Sequence, residues 1–229
     1  MPSKIAVKNL STYEPPKNKS DICVVIGNGR SLLDVPREFL AAYDTIGTNR
    51  IYLLDGFTPT YYVAINPLVV EQSADEINGI KCEAKYITAA ASGLIDDAVP
   101  IKSVYVPHFS TDPFGTGVYE GYTVTYVALQ IAYALGYRIA LLVGVDHDYQ
   151  FIGAPNEERV ADGDDPNHFS PRYFGDGARW NNPDLVQSER AYRMARRAYE
   201  MAGGRVINLT PRTKETVFEK GAIAEWLPR

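Results

Sequence analysis

The chain has 229 residues, of which 45% are hydrophobic and 22% charged, and a net charge of −5. That length buries a core without staples, and the acidic balance excludes a general nucleic-acid binder, which carries a basic face. The two cysteines, Cys23 and Cys82, give no disulfide framework and no zinc site. No apolar run reaches the roughly 20 residues of a membrane span.

Residues 1–19 are polar and proline-containing, without the apolar segment of a signal peptide, so a polar arm on a cytoplasmic protein is expected. Residues 21–26 (DICVVI) form a short β-branched run that reads as a buried strand, with Cys23 as a small buried hydrophobe. It ends in Gly27-Asn28-Gly29. Asp34 followed by Val35-Pro36 reads as an N-cap and first turn leading into a helix over 37–42. Strands are expected at 44–48, at 61–65 (ending at Asn66-Pro67), at 84–88 and at 103–106. Over 121–136, Val124, Val127, Ala128, Ile131 and Leu135 fall on one helical face, with Gly136 suited to the C-terminal cap. An apolar strand follows at 138–143 and stops at Gly144-Val145-Asp146-His147-Asp148-Tyr149. A second helix is expected over 183–202, capped by Asn182, with Pro183 in the first turn and Gly203-Gly204 at its end. Its Arg190, Arg193, Arg196 and Arg197 alternate with Glu189 and Glu200, the pattern of a solvated face. A last strand covers 205–209. The alternation predicts one α/β domain over 1–229, a mostly parallel sheet with helices on both faces. Residues 148–182 carry no helix or strand pattern and read as a long lid loop.

Ligands of open α/β sheets bind beyond the carboxyl ends of the strands. Here those ends carry Gly27-Asn28-Gly29-Arg30-Ser31, then Thr48-Asn49, then Asn66, and then Gly144, Asp146 and His147. The glycine turn suits a close backbone approach and an anion-binding nest, with Ser31 adding a hydroxyl. It is neither a dinucleotide fingerprint nor a P-loop. Asn28, Asn49 and Asn66 offer both donor and acceptor to base or ribose edges. Asp146, Asp148, Asp162, Asp164 and Asp165 are oxygen ligands of the kind Mg²⁺ takes. In the lid, His168 is the natural general base, and Arg172, Tyr173 and Tyr149 are candidates for stabilising a leaving phosphate. His108 is the second-choice imidazole.

The order Ile26-Gly27-Asn28-Gly29-Arg30-Ser31-Leu32, Thr48-Asn49-Arg50, Asn66-Pro67 and Gly144-Val145-Asp146, with the helix from Thr123, resembles the bacterial sialyltransferases of glycosyltransferase family 42. It is similar also to the wider DUF115 group, which includes Maf-type flagellin glycosyltransferases and the MptE-like archaeal 6-hydroxymethylpterin diphosphokinases. The resemblance spans residues 21–209. It implies a Rossmann-like nucleotide-binding domain with a lid, and a homo-oligomer. It implies that Asn28, Asn49 and Asn66 contact a CMP-sugar donor, with Gly144 and Asp146 near the nucleotide, and that no metal or other cofactor is required. It also implies a lid histidine as base and tyrosines on the leaving phosphate. His168-Phe169 resembles the lid pair, although the family's base falls a few residues later, where this chain has Arg172.

The expected function is therefore glycosyl transfer from a nucleotide-sugar donor, of the CMP-sialic-acid kind, to a glycan or small-molecule acceptor with inversion. One alternative is pyrophosphoryl transfer from ATP with Mg²⁺, which the acidic loop favours. The other is a non-catalytic module that binds a nucleotide or sugar.

Overall fold

A computed structural model describes residues 7–16, 18, 20–151 and 153–228; the first six residues of the expected arm, and Lys17 and Lys19 within it, lie outside the described residues. In chain order the strands are β1 (Ile22–Ile26), β2 (Asp44–Thr48), β3 (Tyr61–Ala64), β4 (Ala84–Thr88), β5 (Ala98–Ile101), β6 (Ser103–Val104), β7 (Val118–Tyr119), β8 (Ile139–Val143), β9 (Glu158–Val160), β10 (Arg179–Asn181), β11 (Arg205–Asn208) and β12 (Glu219–Lys220). The α-helices are α1 (Arg37–Ala41), α2 (Pro67–Gln72), α3 (Ala74–Gly79), α4 (Val124–Ala134) and α5 (Leu185–Met201).

Eight strands form one sheet in the order β12-β11-β8-β1-β2-β3-β4-β5, and every neighbouring pair is parallel. The fold is a Rossmann-like α/β sheet. Its two central strands, ICVVI and IALLV, are buried from their second residue on, as strands covered on both faces must be. Each fully buried valine, leucine or isoleucine there contributes about 1.5–3 kcal/mol of transfer free energy. On one face, α4 and α5 close a core around Val25, Tyr126, Leu129 and Tyr199. On the other, Phe39, Val70 and Ile77 of α1, α2 and α3 pack against Val24, Tyr62 and Leu141.

From β1 the sheet grows outward through β2 to β5. The chain then crosses back through α4 to β8, on the other side of β1. The strand order thus reverses between β1 and β8, the point at which such sheets bind ligands. A buried side chain braces the exit of β8. The Glu215 carboxylate, fully buried, accepts from the backbone N–H groups of Val217 and Phe218 and from Asn208 Nδ2 at 3.1 Å. The same segment donates Thr213 Oγ1 to the Val145 carbonyl at 2.7 Å.

Several expected elements shift. β5 was not anticipated, because Pro100 removes a ladder donor; an edge strand tolerates that. The backbone N–H of Lys8 donates to Ala98 O at 2.9 Å, so the arm covers that edge. The strand expected at 103–106 shrinks to β6, which pairs in parallel with β7 as a separate ribbon. Asn66-Pro67 does not merely end β3: Asn66 caps α2, its Oδ1 accepting from Leu68 N–H at 2.9 Å. Asp34 lies inside a 3-10 turn (Arg30–Asp34), so it is not the cap of α1. The cap of α5 is Asp184, whose Oδ1 accepts from Gln187 N–H at 3.0 Å, and not Asn182. The lid is not structureless: β9 and β10 pair as an antiparallel hairpin within it.

Candidate functional site

A cavity of about 780 Å³ opens beyond the carboxyl ends of β1, β2, β3 and β8. The lid roofs it, and the β6–β7 ribbon and the starts of α4 and α5 line its other wall. Of the residues singled out above, Gly27, Asn28, Gly29, Asn49, Asn66, Thr123, Gly144, Asp146, His147, Tyr149, His168 and Tyr173 line it. Arg172 is exposed and lines it nowhere, and His108 bonds back to the Val106 carbonyl at 2.8 Å outside it.

The glycine turn is not an open anion nest. Gly27 N–H donates to Val143 O and Gly29 N–H to Gly144 O, each at 2.8 Å, and Ser31 N–H donates to Asp146 Oδ2 at 3.0 Å. The Ser31 hydroxyl also donates to Asp146 Oδ1. Ser31 therefore serves the protein's own carboxylate and faces a neighbouring depression of about 660 Å³ instead of the main cavity. Glycine is required here for packing. A Cβ on Gly27 would lie 2.5 Å from the Gly144 carbonyl oxygen, and one on Gly29 would lie 2.5 Å from the Asp146 carboxyl carbon. Gly144 itself turns at φ +65. The turn thus fixes how closely β1 and β8 approach, and Asp146 ties them.

The asparagines divide into two roles. Asn28 Nδ2 donates to Thr48 O at 3.0 Å and to Thr48 Oγ1 at 2.9 Å, while its Oδ1 is buried without a partner among the described residues. Asn49 sits at φ +46, its carbonyl accepts from Tyr62 Oη at 2.6 Å, and its Oδ1 is also buried without a partner among the described residues. A buried acceptor without a donor costs about 1–3 kcal/mol, so both point to a ligand that donates. Asn66 uses its Oδ1 as the cap of α2. Thr123 begins α4 without a side-chain cap bond, and its hydroxyl lies 3.5 Å from that of Tyr192.

His168 is built into the roof. It forms an isolated antiparallel bridge with Gly29, and the next N–H, from Phe169, donates to Asn28 O at 3.0 Å. The imidazole stacks on Tyr173 with ring centroids 3.8 Å apart and planes 5° apart, and Tyr149 meets it edge-on at 5.9 Å. Nδ1 lies 2.8 Å from Asp165 Oδ2. A carboxylate only accepts, so Nδ1 carries the proton and Nε2 is left as the acceptor. Burial raises the Asp165 carboxyl, but the hydrogen bonds from His168 Nδ1 and from the Asn167 and His168 N–H groups outweigh it and hold the group below its ordinary range. Burial pushes the Tyr149 and Tyr173 phenols well up, so both stay neutral donors.

The acidic set does not assemble into an ion site. Asp146 is engaged by Ser31, Asp148 by Lys214 at 2.6 Å and Asp165 by His168, while Asp162 and Asp164 are exposed. Among the described residues no three His, Cys, Asp or Glu side chains gather as an ion would need. His147 sits at φ +55 with its ring 8% exposed; among the described residues its Nε2 has no hydrogen-bond partner, and it lies 3.6 Å from Glu189 Oε1. Burial lowers its pKa despite Glu189 and Glu215.

Arg179, Phe174 and Trp180 also line the cavity and were not singled out in the sequence. Asp165, named in the sequence only among five acidic residues open to Mg²⁺, does not line this cavity and pairs with His168, three residues on. Arg179 of β10 lines the cavity where Arg172 does not, and its backbone is clasped by Gln72, whose Oε1 accepts at 3.1 Å and whose Nε2 donates at 3.2 Å. Phe174 and Trp180 stack at 5.1 Å beside it, with Arg50 over Phe174. No protein family, curated protein or solved structure matches this chain. Among the described residues no helix is long and apolar enough to cross a membrane.

Proposed function

We propose that the chain is a glycosyltransferase that takes a nucleotide-activated sugar of the CMP-sialic-acid kind as donor and transfers it with inversion. One observation carries the reading: His168 lines the cavity with its Nδ1 held by Asp165, which leaves Nε2 as a base toward a ligand. Asn28 and Asn49 accept hydrogen bonds from the ribose or base. The stacked Phe174 and Trp180 give the nucleobase an apolar face.

In the transfer, Nε2 of His168 takes the proton of the acceptor hydroxyl as its oxygen bonds the anomeric carbon. The bond from that carbon to the phosphate oxygen breaks on the opposite face. The phosphate departs with its electron pair, held by the Tyr149 hydroxyl and by Arg179 in the place first given to Arg172. Asp165 is a positioning residue that stabilises the imidazolium. Pyrophosphoryl transfer with Mg²⁺ finds less support, because the carboxylates it would use are engaged by Ser31, Lys214 and His168.

The test is turnover of radiolabelled CMP-, UDP- and GDP-sugars on a mixed acceptor pool. One donor should be consumed, and His168→Ala should slow transfer by about 10²–10⁴-fold while nucleotide still binds. Full activity in that variant would overturn the reading.

A further inference from the structure

The two walls of the cavity differ in chemistry. The roof and the ends of β1 to β3 carry the asparagines, Arg179 and His168, while His147, after β8, packs against Glu189 and Tyr192 of α5. The opposite wall comes from β6, β7 and the loop into α4. It presents Tyr105, Tyr119 and Tyr122, with the carboxylate of Glu120 among them and that of Asp184 at the start of α5. From 103 to 107, 119 to 125 and 182 to 188, the lining residues include no lysine, arginine or histidine. Two carboxylates without a lysine or arginine beside them disfavour an anion on this wall.

Two of its three aromatic rings are open. Tyr105 is 95% exposed, the adjoining Val106 is 71% exposed and Tyr122 is 48% exposed. Apolar surface gathered at the rim of a cavity marks a contact site, whereas single exposed hydrophobes mean little. The ribbon beside these rings is held firmly. Ser103 Oγ donates to Glu120 Oε1 at 2.5 Å, Val118 N–H donates to Lys102 O at 2.8 Å, and Gly117 turns at φ +88. Ser103 engages only one oxygen of Glu120, which leaves acceptor capacity on the other.

Flat rings beside acceptor-only carboxylates suit a ligand with apolar C–H faces and many O–H or N–H donors. That is the description of a carbohydrate without acidic groups. We propose that this wall is a subsite for a neutral or amine-bearing glycan, which serves as the acceptor. The inference rests on the transferase reading only for the word acceptor; the subsite stands on its own geometry.

The test uses the full chain, fluorescently labelled, on an array of neutral, amine-bearing and acidic oligosaccharides, beside Tyr105→Ala, Tyr122→Ala and Glu120→Gln. Tyr105 is solvated, so its removal leaves the core intact, and thermal melts check all three. Neutral or amine-bearing glycans should be retained by the wild type, and retention should fall by about tenfold in Tyr105→Ala, the scale of one lost aromatic contact. Three results would overturn the subsite: no glycan retained by the wild type, preference for acidic glycans, or binding unchanged in all three variants. Nucleotide titration of the same proteins separates the two ideas. Unaltered nucleotide binding with no glycan bound removes the subsite alone. Glycan binding without nucleotide binding removes the donor reading alone.

Discussion

Because Asp165 accepts from Nδ1 of His168, exchanging that carboxylate for an amide frees the imidazole to place its proton on either nitrogen. Asp165→Asn should therefore lower kcat by less than His168→Ala does and leave the KM for the donor unchanged; an equal effect on KM would show a merely structural role. Asp165 has a depressed pKa, so its contribution is complete above the ordinary carboxylate value near 3.9 and is lost as pH falls through its lower folded value. The His168 pairing should thus persist through mild acid. His147 behaves differently. Burial lowers its pKa, so the unfolded chain binds its proton first, and stability should decline as pH falls below about 6.5. His147→Gln should flatten that decline in urea titrations between pH 7.5 and 5; an unchanged slope would show that another group titrates there.

At the scale of elements, the β9–β10 hairpin reaches α2 through the Gln72 amide, which both accepts from and donates to the backbone of Arg179. Gln72→Ala should reduce hydrogen-exchange protection across 153–182 while leaving β1 and β8 unaffected; unaltered protection would mean the clasp is incidental. Gly29→Ala should destabilise the fold by about 1–3 kcal/mol, the scale of overpacking, as a Cβ meets Asp146. A melting curve checks it. The buried strands and both long helices were legible, because β-branched runs such as ICVVI and the apolar face of α4 bury wherever the sheet forms. The cap of α5 was misread by two residues, since Asn182, Pro183 and Asp184 all carry N-terminal signals and only backbone geometry chooses among them. The β9–β10 hairpin was not legible. Its residues, ERV and RWN, are mostly solvated and lack the alternation of a half-buried strand.

For the molecule as a whole, the reversal of strand order between β1 and β8 decides where side chains converge. Asn28, Asn49, Asn66, Asp146 and His168 were legible as a set, because each follows a strand or sits in the long loop between β8 and α5. Their partners were not. Sequence order does not say that Ser31 would take both oxygens of Asp146, and so the phosphate nest expected at Gly27-Asn28-Gly29 is closed from within. A ligand held only by the folded state should raise stability by about 2.7 kcal/mol at a hundred times its Kd, visible as a concentration-dependent Tm. The most direct measurement is titration calorimetry with CMP, UDP, GDP and ADP against the wild type and Asn49→Gly, which keeps the φ +46 backbone and removes the unpaired Oδ1. One nucleotide should bind with a single site, and the variant should bind it at least about tenfold more weakly, the scale of one buried hydrogen bond. Absence of binding by all four, or equal binding by the variant, would contradict a nucleotide site at the β1–β8 crossover.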